Sequence, residues 1–208
     1  MVYAAEIDNK RYTFQASGSL WQDALVMQDL ETKSLWSQIS GICIQGKMEG
    51  SQLKTVPFSH TTFAAFKKRY PDGKLLKKPA DSSDKIDGAR YDSYFADKEK
   101  LGIFGRVDNF KRLAGKDKIY GIRFENSEFA VSESYLKKNG FALIVNDSKR
   151  IYLSYDVSDM SVAAFALPDS LRLAGRIEIN NQTAEAFPVI SAYWFAWVSF
   201  FPETELIK

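Results

Sequence analysis

The sequence has very few of the residues that bind metals or form disulfides. Its 208 residues include one cysteine, Cys43, and one histidine, His60. A single cysteine excludes a disulfide and a CxxC motif within these residues, and a single histidine excludes a site built from several histidines. Cys43 lies in the apolar segment GICIQG, which favours a buried strand with a packed thiol over a nucleophile. We therefore expect no metal and no cofactor.

The sequence also lacks a strong excess of charge and a long apolar run. Lysine and arginine total 28, aspartate and glutamate total 26, and the formal net charge is +2. A balance this close gives no overall field that attracts nucleic acid, so we expect no nucleic-acid partner. The longest apolar segment, residues 189–201, contains two serines and is shorter than the 18 or more apolar residues of a spanning helix. We expect no transmembrane segment.

The first residues, MVYAAEIDNKRYTF, do not have a basic segment followed by an apolar one. That arrangement is typical of signal peptides, so we expect none within these residues. A trimmed exported protein, periplasmic or extracellular, remains an alternative, and the compartment is left open.

The chain does contain enough apolar residues for one compact domain spanning 1–208, since 45% of its residues are hydrophobic. Short apolar runs separated by Gly, Asn, Asp and Ser predict an α+β fold of mainly short antiparallel strands. The predicted N-terminal strands are 2–7, 11–15, 24–27, 34–39, 42–45 and 52–56, with SGS at 17–19 as a turn, a helix from Ser59 or Thr61 to Tyr70, and a strand at 74–76. The predicted C-terminal elements are strands 119–124, 129–131, 141–145, 151–155, 162–167, 177–179 and 184–187, with a helix at 133–138 and a last helix in the aromatic segment.

Two aromatic helical segments resemble each other. Shifting the chain by 131 positions aligns residues 57–77 with 188–208 without a gap, and Pro71 then meets Pro202. Phe63, Phe66 and Tyr70 recur at helical spacing and meet Trp194, Trp197 and Phe201. The pattern predicts two related halves, about 1–78 and 119–208, each closing on an aromatic helix and joined by a polar crossing segment, 79–118. Coincidence between two aromatic helices is the alternative.

The N-terminal run, SGSLWQDALVMQDLETKSLWSQISGICIQGKMEGSQL, and the closing aromatic segment resemble the domain-of-unknown-function family numbered 3179, found in bacteria and archaea. The matching positions are Phe14, Gly18, Leu20, Asp29, Thr32, Ser34, Trp36, Gln38, Gly41, Gly46, Lys116, Ile119, Gly121, Asn146, Asp147, Trp194, Phe195, Ala196, Trp197, Phe200, Pro202 and Thr204. The resemblance covers almost the full length, and it implies a family without a known reaction. The second half lacks a clear copy of the Asp-x-x-Thr-x-Ser-x-Trp block.

The best candidate site is a polar block in the N-terminal half. Asp29 and Thr32 bound a predicted turn, and a following strand would place Ser34, Trp36 and Gln38 on one face. A hydroxyl, an indole and an amide on one face could bind a polar ligand by stacking and hydrogen bonds. Alternatively, the same side chains could satisfy turn amides and fill the core.

Other residues offer weaker candidates for chemistry. His60 precedes the first helix and could act as a general base, although a role at the helix start is favoured because no G-x-S-x-G elbow supplies a nucleophile. Asp23, Asp29 and Glu31 are close enough in sequence to suggest paired carboxylates, as in glycoside hydrolysis. The basic positions 67–69, 74, 77 and 78 could attract anionic lipid or phosphate, although a solvated helix face is the simpler interpretation.

The sequence thus favours a non-catalytic binding or interaction domain for a small polar ligand or a protein partner. The sparse catalytic residues and the block around Trp36 support this interpretation. The alternative is a hydrolase-like enzyme that acts on a polar substrate through Asp29, Glu31 or His60.

Overall fold

The structure is a computed structural model that describes residues 1–76, 92–102, 105–107, 110–146, 149–168 and 184–208, with only the backbone described for residues 106 and 107. In chain order the elements are β1 (Glu6–Ile7), β2 (Lys10–Arg11), β3 (Phe14–Trp21), β4 (Ala24–Asp29), β5 (Leu35–Ser37), β6 (Cys43–Gln45), α1 (Phe63–Arg69), α2 (Asp92–Ala96), β7 (Lys100–Leu101), β8 (Arg106–Val107), β9 (Lys118–Phe124), β10 (Ser127–Ser132), α3 (Glu133–Asn139), β11 (Phe141–Val145), β12 (Arg150–Asp156), β13 (Ser161–Leu167), β14 (Glu185–Phe187), β15 (Ile190–Tyr193), α4 (Trp194–Phe200) and β16 (Glu205–Ile207). Mostly antiparallel strands with a few short helices make this an α+β fold.

The N-terminal strands form a hairpin and a four-stranded meander. Strands β1 and β2 pair around Asp8 and Asn9, which both have positive φ, and β3, β4, β5 and β6 follow in that order within one sheet. The predicted turn at residues 17–19 is wrong, because β3 continues through it with a register shift between Ala16 and Leu20. Gly18, at φ 81°, supplies the backbone geometry of this bulge. The glycine in the sequence therefore marks a bulge within the strand and not the end of the strand. The predicted strand at 52–56 is present only as isolated bridges at Gln52 and Thr55.

The predicted first helix exists as α1, but its cap differs from the prediction. The side chain of Thr62 accepts the Ala65 amide at 3.2 Å, so Thr62 is the N-cap in place of Ser59 or Thr61. No residue of α1 is buried, and Phe63 is 62% exposed. The first aromatic helix is therefore not enclosed in a core. Residues 74–76 form no strand, and residues 79–91 of the predicted crossing segment, 79–118, lie outside the described residues.

The C-terminal region contains two further four-stranded sheets. One has the order β11-β12-β13-β14 and is fully antiparallel, as the short apolar runs and their turn residues predict. The other has the order β15-β9-β10-β16, and β16 joins β10 in a parallel pairing. The predicted strand at 177–179 lies outside the described residues.

The sheet β15-β9-β10-β16 is the centre of the molecule because both of its faces are covered. One face packs on α3 and on sheet β11-β12-β13-β14 in a cluster that includes Ile122, Val131 and Leu153. The other face packs on α4 and on residues of the N-terminal region, including Ile39. Gly121 makes the close approach of α4 feasible, because a Cβ there would lie 2.3 Å from the Trp197 ring.

Candidate functional site

Asp29 ends β4 and is fully buried, with its carboxylate in a ring of donors from its own turn. One oxygen accepts the Thr32 amide at 2.5 Å, and the other accepts the Trp36 indole N–H at 2.9 Å and the Ser34 amide at 3.2 Å. Burial opposes ionisation, but these hydrogen bonds, that of Trp36 foremost, lower the pKa of Asp29 below its ordinary value. The carboxylate is therefore ionised at neutral pH and is held by neutral donors.

The hydroxyls of Thr32 and Ser34 extend this network. They lie 2.6 Å apart, and the Ser34 oxygen also accepts the amide of Met48 at 3.2 Å. Gly46 passes so close that a Cβ there would lie 2.7 Å from the Ser34 oxygen. The block therefore ties the turn after β4 to the loop after β6.

Trp36 and Gln38 lie in different surroundings. Trp36 is fully buried beside Cys43 and Leu53, with Phe14 packed edge-on against it at 5.7 Å between ring centroids. Gln38 follows the end of β5, and its backbone carbonyl accepts the Tyr3 hydroxyl at 2.7 Å. The structure thus brings Asp29, Thr32, Ser34 and Trp36 together, whereas Gln38 makes no hydrogen bond to that group among those described.

The remaining predicted candidates are dispersed. Glu31 is exposed and accepts the Thr13 amide, and this bond lowers the pKa of Glu31. Cys43 is buried, as expected, and burial raises the pKa of its thiol. His60 lies two residues before the N-cap of α1 and pairs through its backbone with Val162 of β13.

A second polar group, which the sequence did not indicate, surrounds Glu133 in the first turn of α3. Its carboxylate accepts the Lys137 ammonium at 2.6 Å and the Tyr120 hydroxyl at 3.2 Å, and the Lys118 ammonium lies 3.4 Å away. These contacts, with the Lys137 hydrogen bond largest, outweigh burial and lower the pKa of Glu133. At neutral pH one carboxylate is therefore shared by two ammonium groups.

Three more ionisable side chains lie close to this group. The Tyr155 ring packs on the Tyr120 ring at 6.4 Å between centroids. Burial, then Tyr94 and then the charge of Glu133 raise the pKa of Tyr193. Burial and then the charge of Lys118 lower the pKa of His60, so its imidazole is neutral at pH 7. We call the set the Glu133 cluster. It comprises His60, Lys118, Tyr120, Glu133, Lys137, Tyr155 and Tyr193.

Strand register explains why residues from distant segments meet in the Glu133 cluster. Tyr193 of β15 pairs with Lys118 of β9, and His60 bridges Val162, which pairs with Tyr155 of β12. Paired residues share a face of the sheet, so these side chains gather at one end of the two packed sheets. In the sequence, only the Glu133–Lys137 spacing of four on a predicted helix indicates any of these contacts.

A search of the described residues finds no group of three or more His, Cys, Asp or Glu side chains that could hold a metal ion. The same part of the chain contains no helix long and apolar enough to cross a membrane.

Comparison with protein-family models matches residues 1–204 to the family described as "Protein of unknown function (DUF3179)". The chain belongs to this family. The resemblance that rests on the Asp29–Trp36 block and the closing aromatic segment is thereby confirmed. Searches among curated proteins and among solved structures give no significant match.

Proposed function

We propose that this protein is a non-catalytic binding domain that takes a small anionic molecule, a carboxylate or a phosphate, at the Glu133 cluster. The observation that carries the proposal is an excess of donors. Lys118, Lys137 and Tyr120 all contact the single carboxylate of Glu133, and Tyr155 and Tyr193 add phenol groups nearby.

The charges of the cluster favour an anion over a cation. Two ammonium groups face one carboxylate, and neutral His60 and the protonated tyrosines add no negative charge at pH 7. The side chains of Lys118 and Lys137 are 31% and 51% exposed, so a ligand can reach both. Charge-assisted hydrogen bonds from such groups are shorter and stronger than neutral ones.

Calorimetric titration with phosphate, citrate and acetate tests this proposal. Lys137→Ala should weaken binding at least tenfold, which is about 1.4 kcal/mol. Lys138→Ala is the matched control because Lys138 is exposed on the same turn of α3, and its substitution removes the same charge. The proposal fails if no anion of the panel binds, or if the two variants bind equally well.

A hydrolase-like enzyme is the second candidate, and the neutral imidazole of His60 favours it. A base that is unprotonated at neutral pH can accept a proton from water or a hydroxyl. Of the residues considered for this role, Asp29 is buried with its oxygens occupied and Glu31 holds the Thr13 amide. A panel of ester, phosphoester and glycoside substrates tests the candidate, and turnover abolished by His60→Gln would favour it over simple binding.

We propose that the Asp29, Thr32, Ser34 and Trp36 block stabilises the fold and does not bind a ligand. What supports this is the internal satisfaction of its polar atoms and the complete burial of three of its members. Gln38, half-buried beyond β5, is not part of that network. A ligand shift that disappears in Trp36→Phe, with the unfolding midpoint unchanged, would contradict the proposal.

We also infer that the chain contains two related halves within one domain. The 131-residue shift superposes the bounds of α1 on those of α4, and the residues that end them, Tyr70 and Phe201, have φ of −128° and −131°. Each is followed by a proline. Alignment of further family members tests the inference, which fails if segments 57–77 and 188–208 are no more alike in them than shuffled sequences.

A further inference from the structure

Helix α1 leaves Phe63 and Tyr70 exposed to solvent, and its small and basic residues line a cleft. A cleft of about 570 Å³ separates the helix from the turn between β12 and β13, and Ala65, Lys68 and Arg69 line the helical wall. Arg69 crosses the cleft to Asp159 at 2.9 Å. Phe63 and Tyr70 are not among the lining residues and are 62% and 54% exposed.

Two more exposed apolar side chains follow the helix in sequence. Leu75 is 63% exposed and Leu76 is fully exposed, so large apolar side chains occur at both ends of this segment. Several large apolar side chains exposed within one short segment are typical of interaction sites.

The surface is also basic. Residues 63–76 contain Lys67, Lys68, Arg69 and Lys74 but a single acid, Asp72. Arg69 is paired with Asp159, while the three lysines are exposed. The three exposed lysines against the single acid make the segment complementary to a negatively charged surface.

Helix α4 shows how the same kind of segment packs when it is covered. It also has seven residues, but Trp194, Phe195 and Trp197 are buried, and the strand that follows it, β16, pairs with β10. At the corresponding positions of α1, Phe63 and Ala64 are exposed and Phe66 is half-buried.

We propose that the α1 surface, formed by Phe63, Lys67, Tyr70, Lys74, Leu75 and Leu76, docks on a membrane that contains anionic lipid. Aromatic and leucine side chains enter the boundary between headgroups and acyl chains, and lysines contact the lipid phosphates. A seven-residue helix is about 10 Å long, too short to span a bilayer, so the contact is peripheral. Binding of free phosphate would use only the lysines. The exposed apolar side chains therefore favour a lipid surface as the partner.

Co-sedimentation of the full chain with vesicles tests the proposal. We expect binding to vesicles of 70% phosphatidylcholine and 30% phosphatidylglycerol, at least about tenfold weaker binding to pure phosphatidylcholine, and release as salt rises. The double variants Lys67→Glu with Lys74→Glu, and Leu75→Ser with Leu76→Ser, should each weaken binding about tenfold or more.

Matched controls separate this surface from general charge and apolarity. Lys138→Glu changes an exposed helical lysine elsewhere, and Val157→Ser removes an apolar side chain that is 61% exposed on the β12–β13 turn. Both should bind like the unchanged protein, and all variants should keep its unfolding midpoint because the altered residues are exposed.

Three results would overturn the proposal. One is the absence of sedimentation with anionic vesicles, and another is equal loss of binding in the control variants. The third is a dimer in light scattering that Leu75→Ser with Leu76→Ser dissociates while vesicle binding is unaffected, which would assign the surface to a second copy of the chain.

Discussion

Replacing Asp29 with Asn should destabilise the protein by about 3–5 kcal/mol at pH 7. In the better of its two orientations, the side-chain NH2 group of the new asparagine would face the backbone N–H of Thr32, which would lose its acceptor. A buried donor left without an acceptor costs about 1–3 kcal/mol. The remaining oxygen would keep the Trp36 and Ser34 bonds without the charge, at a cost of about 1 kcal/mol for each. Urea unfolding followed by tryptophan fluorescence measures the sum.

The pH dependence makes the prediction specific to the charge. Because the folded pKa of Asp29 is below the ordinary value of 3.8, the charge stabilises the fold above that value, and this contribution is lost as pH falls through the folded pKa. The difference between the unchanged protein and Asp29→Asn should therefore narrow below about pH 4. Glu31→Gln, at an exposed carboxylate two residues away, should change the midpoint little. An Asp29→Asn midpoint equal to that of the unchanged protein at pH 7 would refute the reasoning.

Three further predictions concern α4 and His60. Trp197→Ala should cost about 3–5 kcal/mol in urea unfolding, since it empties a fully buried site and leaves Thr204 without its indole partner; an unchanged midpoint would show that α4 is not needed for stability. Gly121→Ala should cost about 1–3 kcal/mol by the same measurement, because its Cβ would overlap Trp197, and the cost should vanish in a Trp197→Ala background; a cost that persists there would contradict the contact. The pKa of the single histidine should lie below 6.5 in NMR titrations, and Lys118→Ala should raise that pKa; a value above 6.5 in the unchanged protein would contradict both the desolvation of His60 and the effect of the Lys118 charge.

The strands with strong local signals were predictable. Residues 141–145 form β11 as expected, and α3 begins at Glu133 after the Ser132 cap. Alternation of buried and exposed residues and a capping serine both act between residues a few positions apart. A single sequence is therefore enough to recognise them. Gly18 failed as a turn signal because the same positive φ serves a bulge within a strand.

Long-range packing was not predictable from local patterns. Helical periodicity groups Phe63, Phe66 and Tyr70 on one side of α1, but it does not say which side meets the protein. Contacts among Asp29, Thr32, Ser34 and Trp36 could be foreseen because these residues lie within eight positions of each other. Their burial, which the sequence does not show, decides between a structural and a ligand-binding role. The Glu133 cluster depends on the register of β9, β12 and β15, which are separated by many residues.

The parallel pairing of β16 with β10 has a consequence for synthesis on the ribosome. Strand β10 is made early in the C-terminal half, but the partner for its outer edge comes roughly 75 residues later, about 4–15 s at 5–20 residues per second. During that interval the nascent chain presents an unpaired edge of Phe129, Ala130 and Val131, the type of segment that aggregates or is bound by chaperones. Losing the three residues of β16 would therefore be expected to reduce the yield of soluble chain during expression as well as the stability of the folded protein.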